Sequence, residues 1–392
     1  MSPLAVPMST GRRRASECRI EDFRAVVSQP TEPAAYPHAA SIDEGVVVYR
    51  SAELRSGLDD RQTRLAILTE LADALLNGPG IVVLQGAMSH DALDRSAVVF
   101  NEIIDEQRRS DTSSGDHFAK PGANDRIWNA LEKLALRAPD VFCAYYGNDM
   151  LALACESWLG PGYQVTSQIN VVNPGGEAQQ PHRDYHLGFM TDDQAERFPN
   201  HIHRLSPLLT LQGAVAHCDM PVETGPTMYL PHSQKYEAGY LAWRNREFID
   251  YFADPRVQLA LDKGDAIFFN PAVFHAAGTN TTETVKRMAN LLQISSTMGR
   301  AMEKIDRLGM CLAIYPMLQA RRDAGQSAAE LGRVIAASAE GYPFPADLDH
   351  DQPVDGLVPA SQADLVHRAL AEGWTVEALE QALTEQSVTR VA

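Results

Sequence analysis

Short runs of β-branched and aromatic residues fill the middle of the chain, and they constrain its fold more than any other feature. Between about residues 163 and 298, Pro, Gly, Asn and Asp separate the runs YQVTSQINVV, LLTLQGAVAH, TMYLP, DAIFFN and ANLLQISS. Short strands with turn residues between them are typical of antiparallel β-structure. The sequence therefore predicts a mainly β core, built as a sandwich or barrel.

Helical patterns flank this core on both sides. Before it, apolar residues recur at helical spacing over about 60–78, 90–109 and 125–160, and a short strand follows the first of these runs. After Met298 the helical spacing returns. We therefore predict four parts: an extended or flexible segment 1–45, a mainly helical part 46–162, the β core 163–298 and a helical extension 299–392.

Composition narrows the functional classes. The 51 acidic and 34 basic residues give a formal charge of -17, which repels nucleic acid and anionic membrane surfaces. The five cysteines are scattered without a CxxC pair, so neither a disulfide framework nor a thiolate zinc site is indicated. No apolar run approaches the roughly 20 residues that cross a bilayer.

We expect a soluble, cytoplasmic protein that acts on a small molecule without nucleic-acid or membrane partners. A homodimer is compatible with the sequence.

The segment QQPHRDYH contains a His-x-Asp pair. Period-two geometry places the side chains of His182 and Asp184 on the same face of an extended segment. A second strand-like run, DAIFFNPAVFH, ends at His275. Two imidazoles and a carboxylate form the facial triad of non-haem iron(II) oxygenases, which leaves coordination positions open. Since the chain has 12 histidines, the His-x-Asp pair alone is weak evidence for a metal.

Arg287 strengthens this interpretation. It stands at the start of the strand-like run that follows His275. A guanidinium can bind a carboxylate through two parallel hydrogen bonds, so Arg287 could hold the distal carboxylate of 2-oxoglutarate. The alternative is a surface arginine paired with one of the many acids.

Several motifs in this order resemble the phytanoyl-CoA dioxygenase (PhyH-like) family of iron(II)/2-oxoglutarate oxygenases. They are HRD at 182–184, ETGPTMYLPHS at 223–233, GDAIFFNPAVFH at 264–275, Asn280 and Arg287. The resemblance covers about residues 163–298. It implies a double-stranded β-helix, a cupin-like jelly roll, for the core.

The same resemblance implies roles for individual residues. His182, Asp184 and His275 would be the iron ligands, and Arg287 would anchor the distal carboxylate of 2-oxoglutarate. Gln168 and Thr227 would lie where they can direct polar groups at the co-substrate, although each could equally be a structural residue of the sheet.

The chain departs from the family at one turn, where the usual Pro-Gly-Ser-His reads Pro231-His232-Ser233-Gln234, so His232 is left unassigned. Next to the His-x-Asp turn, His186 is the histidine best placed to contact a substrate. The remaining candidates are interpreted as structural or solvated residues: His201, His203 and His217 in the sheet region, and Lys120 and Arg126 in a loop before the core.

The resemblance implies an oxygenase that uses iron(II), 2-oxoglutarate and dioxygen and releases succinate and carbon dioxide. Asp184 argues against halogenation, because related halogenases replace this carboxylate with a small residue. We expect hydroxylation of a small metabolite or natural-product intermediate, while desaturation, ring closure and epimerisation stay open. The alternatives are a non-oxidative cupin-type metal enzyme, such as an isomerase, and a metal-binding jelly roll without oxygenase turnover. Neither alternative requires Arg287.

Overall fold

Two facing β-sheets form the centre of the protein, as a computed structural model of residues 11–110, 123–353 and 356–391 shows. The larger sheet has the strand order β1-β2-β3-β9-β6-β11-β5-β4 and the smaller has the order β10-β7-β8. The strands are β1 (Ser41–Asp43), β2 (Val46–Arg50), β3 (Ile81–Gln85), β4 (Asn124–Ile127), β5 (Gln164–Val172), β6 (Thr210–Ala216), β7 (Thr227–Leu230), β8 (Val257–Gln258), β9 (Ala266–Phe269), β10 (Phe274–Ala277) and β11 (Arg287–Ser295).

Helices cover the outer face of the larger sheet and continue after the last strand. Several begin at a side chain that accepts a hydrogen bond from the first turn, such as Asp60, Ser89 and Asn148. The helices are α1 (Ile20–Val27), α2 (Ser51–Arg55), α3 (Arg61–Leu76), α4 (His90–Arg109), α5 (Ala130–Arg137), α6 (Pro139–Tyr146), α7 (Asp149–Leu159), α8 (Asp192–Ala195), α9 (Asn200–Leu205), α10 (Gly239–Ala242), α11 (Arg246–Phe252), α12 (Arg307–Asp323), α13 (Ala328–Ser338), α14 (Gln362–Glu372) and α15 (Val376–Thr389).

The double-stranded β-helix implied by the resemblance is confirmed, in the form of two facing sheets and not of a closed barrel. Helices flank it on both sides in the chain, as expected. In the three described ranges, every helix is too short or too polar to cross a bilayer.

Strand β11 organises the larger sheet because it lies between β5 and β6. It pairs antiparallel with the whole of β5, from Arg287 opposite Val172 to Ser295 opposite Gln164. On its other edge, β11 pairs antiparallel with β6. These pairings fix which side chains of the three strands share a face.

The two faces of β11 differ in character. Met288, Leu292 and Ile294 pack into the large apolar core under the helices, whereas Ala289 and Leu291 face the smaller sheet. This alternation follows from the two-residue period of a strand. Gln293 has the same parity as Ala289 and therefore faces the smaller sheet as well.

Strands from the N-terminal part extend the larger sheet. β2 pairs parallel with β3, and β3 pairs antiparallel with β9. At the opposite edge, β4 pairs with β5. The larger sheet thus continues across residue 163, and the proposed domain limits stay a prediction.

Helix α1 ties the N-terminal segment to the back of the smaller sheet. Phe23 is fully buried, and its ring centroid lies 4.9 Å from that of Phe274, the residue before His275. The rings of Tyr236 and Phe248 lie at 5.3 and 5.1 Å. The side chain of Phe23 therefore supports the strand that carries His275.

We expect Phe23→Ala to lower the free energy of unfolding by about 3–5 kcal/mol, because a fully buried ring is replaced by a cavity. Chemical denaturation monitored by circular dichroism measures this change. Val98→Ala, at a residue of α4 that is 59% exposed, is the matched control and should be nearly neutral. An equally small effect at both positions would contradict the packing of α1.

Candidate functional site

His182 and His275 are joined through their backbones. The amide of His182 donates to the carbonyl of His275 at 2.9 Å, and the amide of His275 donates back at 3.1 Å. This isolated antiparallel bridge extends the smaller sheet beyond β10. Because residues that exchange both hydrogen bonds lie directly opposite each other, the two imidazoles project from the same face. Their ring centroids are 4.4 Å apart.

The two imidazoles are held in the same way. Nδ1 of His182 lies 2.9 Å from the carbonyl oxygen of Gln180, and Nδ1 of His275 lies 2.9 Å from that of Val273. A carbonyl only accepts hydrogen bonds, so each Nδ1 carries the proton in these contacts. When the imidazoles are neutral, each Nε2 therefore carries the lone pair, which is the form that binds a metal.

Asp184 completes the group. Its Oδ1 lies 3.7 Å from Nε2 of His182 and its Oδ2 lies 3.4 Å from Nε2 of His275. One ligand atom from each of the three residues falls within 4.8 Å of the others. Burial raises the pKa of Asp184, but the two histidines and the amide of Gln212 outweigh it and hold the pKa below its ordinary value. The carboxyl is therefore ionised and able to bind a cation.

Gln212 positions this carboxylate. It lies on the inner face of β6, which is the face turned toward the smaller sheet. Its Nε2 donates to Oδ2 of Asp184 at 2.5 Å. The opposite oxygen, Oδ1, is directed toward His182. Hydrogen bonds of this kind to a ligating carboxylate orient it for the metal.

The donor set fits iron. Two neutral imidazole nitrogens and one carboxylate oxygen on one side of an ion match the ligands of non-haem iron(II) centres, which keep positions open for other molecules. All three side chains are mostly shielded from solvent, with 23% exposure for His182, 19% for Asp184 and 7% for His275.

Arg287, the first residue of β11, faces a cavity between the sheets. Thr227 and Tyr229 of β7 line the same cavity, which reaches Leu291 along β11. The Nη1 atom of Arg287 is buried and has no hydrogen-bond partner among the described residues. Burial lowers the pKa of Arg287 to about 10, so the side chain stays charged at neutral pH. An unpaired, buried cation of this kind fits an anionic ligand such as a carboxylate.

Of the two further residues expected near the co-substrate, Thr227 lines this cavity. Gln168 is on the inner face of β5, but its amide is engaged elsewhere. Its Oε1 accepts from Nη2 of Arg126 at 2.6 Å, and its Nε2 donates to Gln293 at 3.4 Å and Glu303 at 3.3 Å. The role of Gln168 toward the co-substrate stays a prediction.

Several of the remaining histidines have hydrogen-bond partners in the described structure. His186 Nδ1 lies 3.2 Å from Ser206 Oγ, and His203 bonds the Ala195 carbonyl. His217 lies on the opposite face of the sheet, against Tyr145. His232, left unassigned above, contacts Thr31 and Lys235 and so holds the N-terminal segment.

Of the two basic residues expected in a loop before the core, Arg126 instead belongs to β4 and is buried in the sheet over the ring of Trp128. Lys120 lies outside the described residues.

Two residues beside the triad escaped the sequence reasoning. Gln212 could have been noticed as a polar residue inside the apolar run LLTLQGAVA, although its contact with Asp184 depends on the fold. Arg183, between two of the triad residues, is fully buried and donates to the carbonyls of Ser233 and Tyr236. These bonds tie the His-x-Asp turn to the turn after β7.

We expect Gln212→Leu to weaken metal binding about 10–100-fold, since the variant removes the donor that orients Asp184. Anaerobic titration with cobalt(II), followed by its visible absorption, measures the affinity. Gln319→Leu serves as the control. Gln319 is in α12, far from the triad in the chain, and its side-chain amide donates to the Trp374 carbonyl. Unchanged affinity in Gln212→Leu would show that the hydrogen bond does not support the metal site.

Comparison with known proteins identifies relatives. Residues 76–289 match the family model of phytanoyl-CoA dioxygenase. A curated relative, dioxygenase trt7 from Aspergillus terreus, is 23% identical over 243 residues, which cover 58% of this chain and 73% of the relative.

Solved structures with similarity to this chain include two proteins. The non-haem α-ketoglutarate-dependent epimerase SnoN from nogalamycin biosynthesis is 20% identical, with a TM-score of 0.39 over 59% of this chain and 84% of its own. AviO1 from Streptomyces viridochromogenes Tue57 is 16% identical, with a TM-score of 0.43 over 61% of this chain and 97% of its own.

Proposed function

Because the chain belongs to the phytanoyl-CoA dioxygenase family, whose cofactor is iron and whose co-substrate is 2-oxoglutarate, we propose that His182, Asp184 and His275 bind the iron. Arg287 binds the distal carboxylate of 2-oxoglutarate, with Thr227 beside it. The observation that carries the proposal is the convergence of the three ligand atoms within 4.8 Å. All five residues belong to the catalytic core proposed at 163–298.

Bound iron(II) supplies oxidising power from dioxygen, using electrons from 2-oxoglutarate, which is converted to succinate and carbon dioxide. The protein contributes position and charge. The carbonyls of Gln180 and Val273 select the tautomer in which Nε2 of each neutral histidine carries the lone pair, and Gln212 holds the Asp184 carboxylate. The apolar lining of the cavity excludes water and strengthens the attraction between Arg287 and a carboxylate.

For the reaction itself we propose hydroxylation of a small metabolite or natural-product intermediate. Asp184 argues against halogenation, because a carboxylate at this position occupies the place where halogenases of this kind bind chloride. The buried, unpaired guanidinium of Arg287 favours an oxygenase over a non-oxidative cupin-type enzyme, which has no use for it.

We expect the protein, loaded anaerobically with iron(II), to develop the visible charge-transfer band of a 2-oxoglutarate complex on titration with 2-oxoglutarate. Arg287→Ala should raise the concentration for half-saturation by roughly 10–100-fold, as the loss of a charge-assisted hydrogen bond predicts. Asp184→Ala should weaken the band by weakening iron binding. Arg246→Ala, with a side chain 82% exposed, is the control and should match the unmodified protein.

The absence of a band in protein with bound iron would overturn the role of 2-oxoglutarate and favour the cupin-type alternative. A band that forms equally well in Arg287→Ala would instead remove only the assignment of the carboxylate anchor.

The type of oxidation is tested separately by incubating the loaded protein with a panel of candidate metabolites and measuring succinate. For compounds that raise succinate release, we expect the product to gain one oxygen atom from isotopically labelled dioxygen. A product that has lost two hydrogens, or has only changed configuration, would replace hydroxylation by desaturation or epimerisation.

A further inference from the structure

A row of buried polar side chains leads away from Asp184 across the inner face of the larger sheet. Gln212 on β6 donates to Asp184, and its partner in register on β11 is Gln293. Gln168 on β5 lies 3.4 Å from Gln293 and 3.3 Å from Glu303. Neighbouring strands are about 4.8 Å apart, so Gln168 lies on the order of 10 Å from Gln212, with β11 between them. That separation suits a small molecule.

Glu303, in the segment between β11 and α12, is only half satisfied. Its Oε1 accepts from the backbone amide of Asn129 at 3.0 Å and from Nε2 of Gln168 at 3.3 Å. Its Oε2 is buried and accepts no hydrogen bond from any described residue. A buried acceptor without a donor is costly, so its retention points to a ligand that supplies one.

Tyr185, directly after Asp184, carries a second unpaired group. The residue is 3% exposed, and its hydroxyl has no partner within the described part of the chain. Its φ of 65° is strained for an aromatic residue. Burial raises the pKa of Tyr185, and the carboxylates of Asp184 and Glu303 raise it further.

Gln212 carries a third unpaired group. While its Nε2 donates to Asp184, its Oε1 is buried and accepts no hydrogen bond from the described residues. Oε1 of Gln212 and Oε2 of Glu303 are thus unpaired acceptors at the two ends of the polar row, and the Tyr185 hydroxyl is an unpaired group on the residue next to Asp184.

We propose that Tyr185, Gln212 and Glu303 form a hydroxyl subsite that binds an alcohol group of the substrate, an inference that rests on the proposed oxygenase function. The subsite is distinct from the Arg287 cavity. The Cα atoms of Arg287 and Gln293 lie about 20 Å apart along β11, because each residue of a strand adds roughly 3.4 Å.

The charges near Glu303 favour a neutral hydroxyl over an ammonium group. Arg126 and Lys133 are both close enough to lower the pKa of Glu303, although burial has the larger effect and raises it. Since two cations already lie near the carboxylate, an uncharged hydrogen-bond donor fits the subsite better than a further positive charge.

Glu303→Gln offers a test in which the hydrogen-bond polarity reverses. The amide of Asn129 and Nε2 of Gln168 require an acceptor at the Oε1 position. The glutamine must therefore place its NH2 group where Oε2 was. An acceptor for the ligand becomes a donor, while the size of the side chain hardly changes.

The probes are cyclohexanol, menthol and borneol, each paired with its methyl ether, which accepts but cannot donate. They are titrated into protein loaded with iron(II) and 2-oxoglutarate without oxygen, and the shift of the charge-transfer band reports binding. We expect at least one alcohol to bind the unmodified protein about tenfold more tightly than its ether, as one lost hydrogen bond predicts. In Glu303→Gln the preference should be lost, because an alcohol and its methyl ether can both accept a hydrogen bond from the new NH2 group.

Glu53→Gln, at a surface residue paired with Arg50, controls for loss of charge and should keep the original preference. No preference for any alcohol in the unmodified protein, or the same preference in Glu303→Gln, would overturn the hydroxyl subsite. If the band itself never forms, the proposed oxygenase function fails instead.

A second measurement needs no ligand. Removing an unpaired buried hydroxyl should stabilise the free protein, so we expect Tyr185→Phe to raise Tm by about 1–2 °C. Tyr146→Phe is the matched control, because that hydroxyl bonds Ser167 and Asn290, and its loss should lower Tm. A fall in Tm for Tyr185→Phe would show that its hydroxyl is a structural group and would remove it from the subsite.

Discussion

The reciprocal backbone hydrogen bonds between His182 and His275 are the constraint on which the site depends. They place two residues that are distant in the chain directly opposite each other, so their imidazoles share one face. Asp184 then reaches the same point because it lies two residues further along an extended segment. The surrounding structure holds this bridge in place, with β7 beside β10, Phe23 behind Phe274, and Arg183 between the turns.

The two faces of the larger sheet differ in the charge of their buried polar groups. On the helix side, the hydroxyls of Tyr145 and Tyr146 both accept from the amide of Asn290. On the inner side, Arg287, Tyr185 and Glu303 each keep a buried polar atom without a partner among the described residues. On the helix side, Oδ1 of Asn290 and Nδ1 of His217 have no partner either among the described residues, so the inner side is distinguished by its charged groups. The inner side carries a cation at one end and a carboxylate at the other, a polarity suited to binding two different molecules.

Much of the fold and site followed from local pattern. The strands between 163 and 298 were predictable because turn residues separate their short apolar runs, and the triad because a two-residue spacing fixes a shared face. Long-range pairing was not predictable. The parallel contact of β2 with β3, and the membership of Arg126 in β4, depend on neighbours far away in the chain. For the same reason the sequence could not show that Gln212 meets Asp184 or that the amide of Gln168 contacts Glu303.

The position of β11 has a consequence for how the chain reaches its native state. It is the last strand of the described sequence, yet it fills the slot between β5 and β6. Until it inserts, both of those strands present open edges, which are templates for pairing with other chains. Synthesis from the N-terminus therefore produces the proposed iron ligands before the sheet that supports them can close. Folding should be slow because these pairings are non-local, and the nascent protein should be most prone to aggregation just before residue 287 emerges.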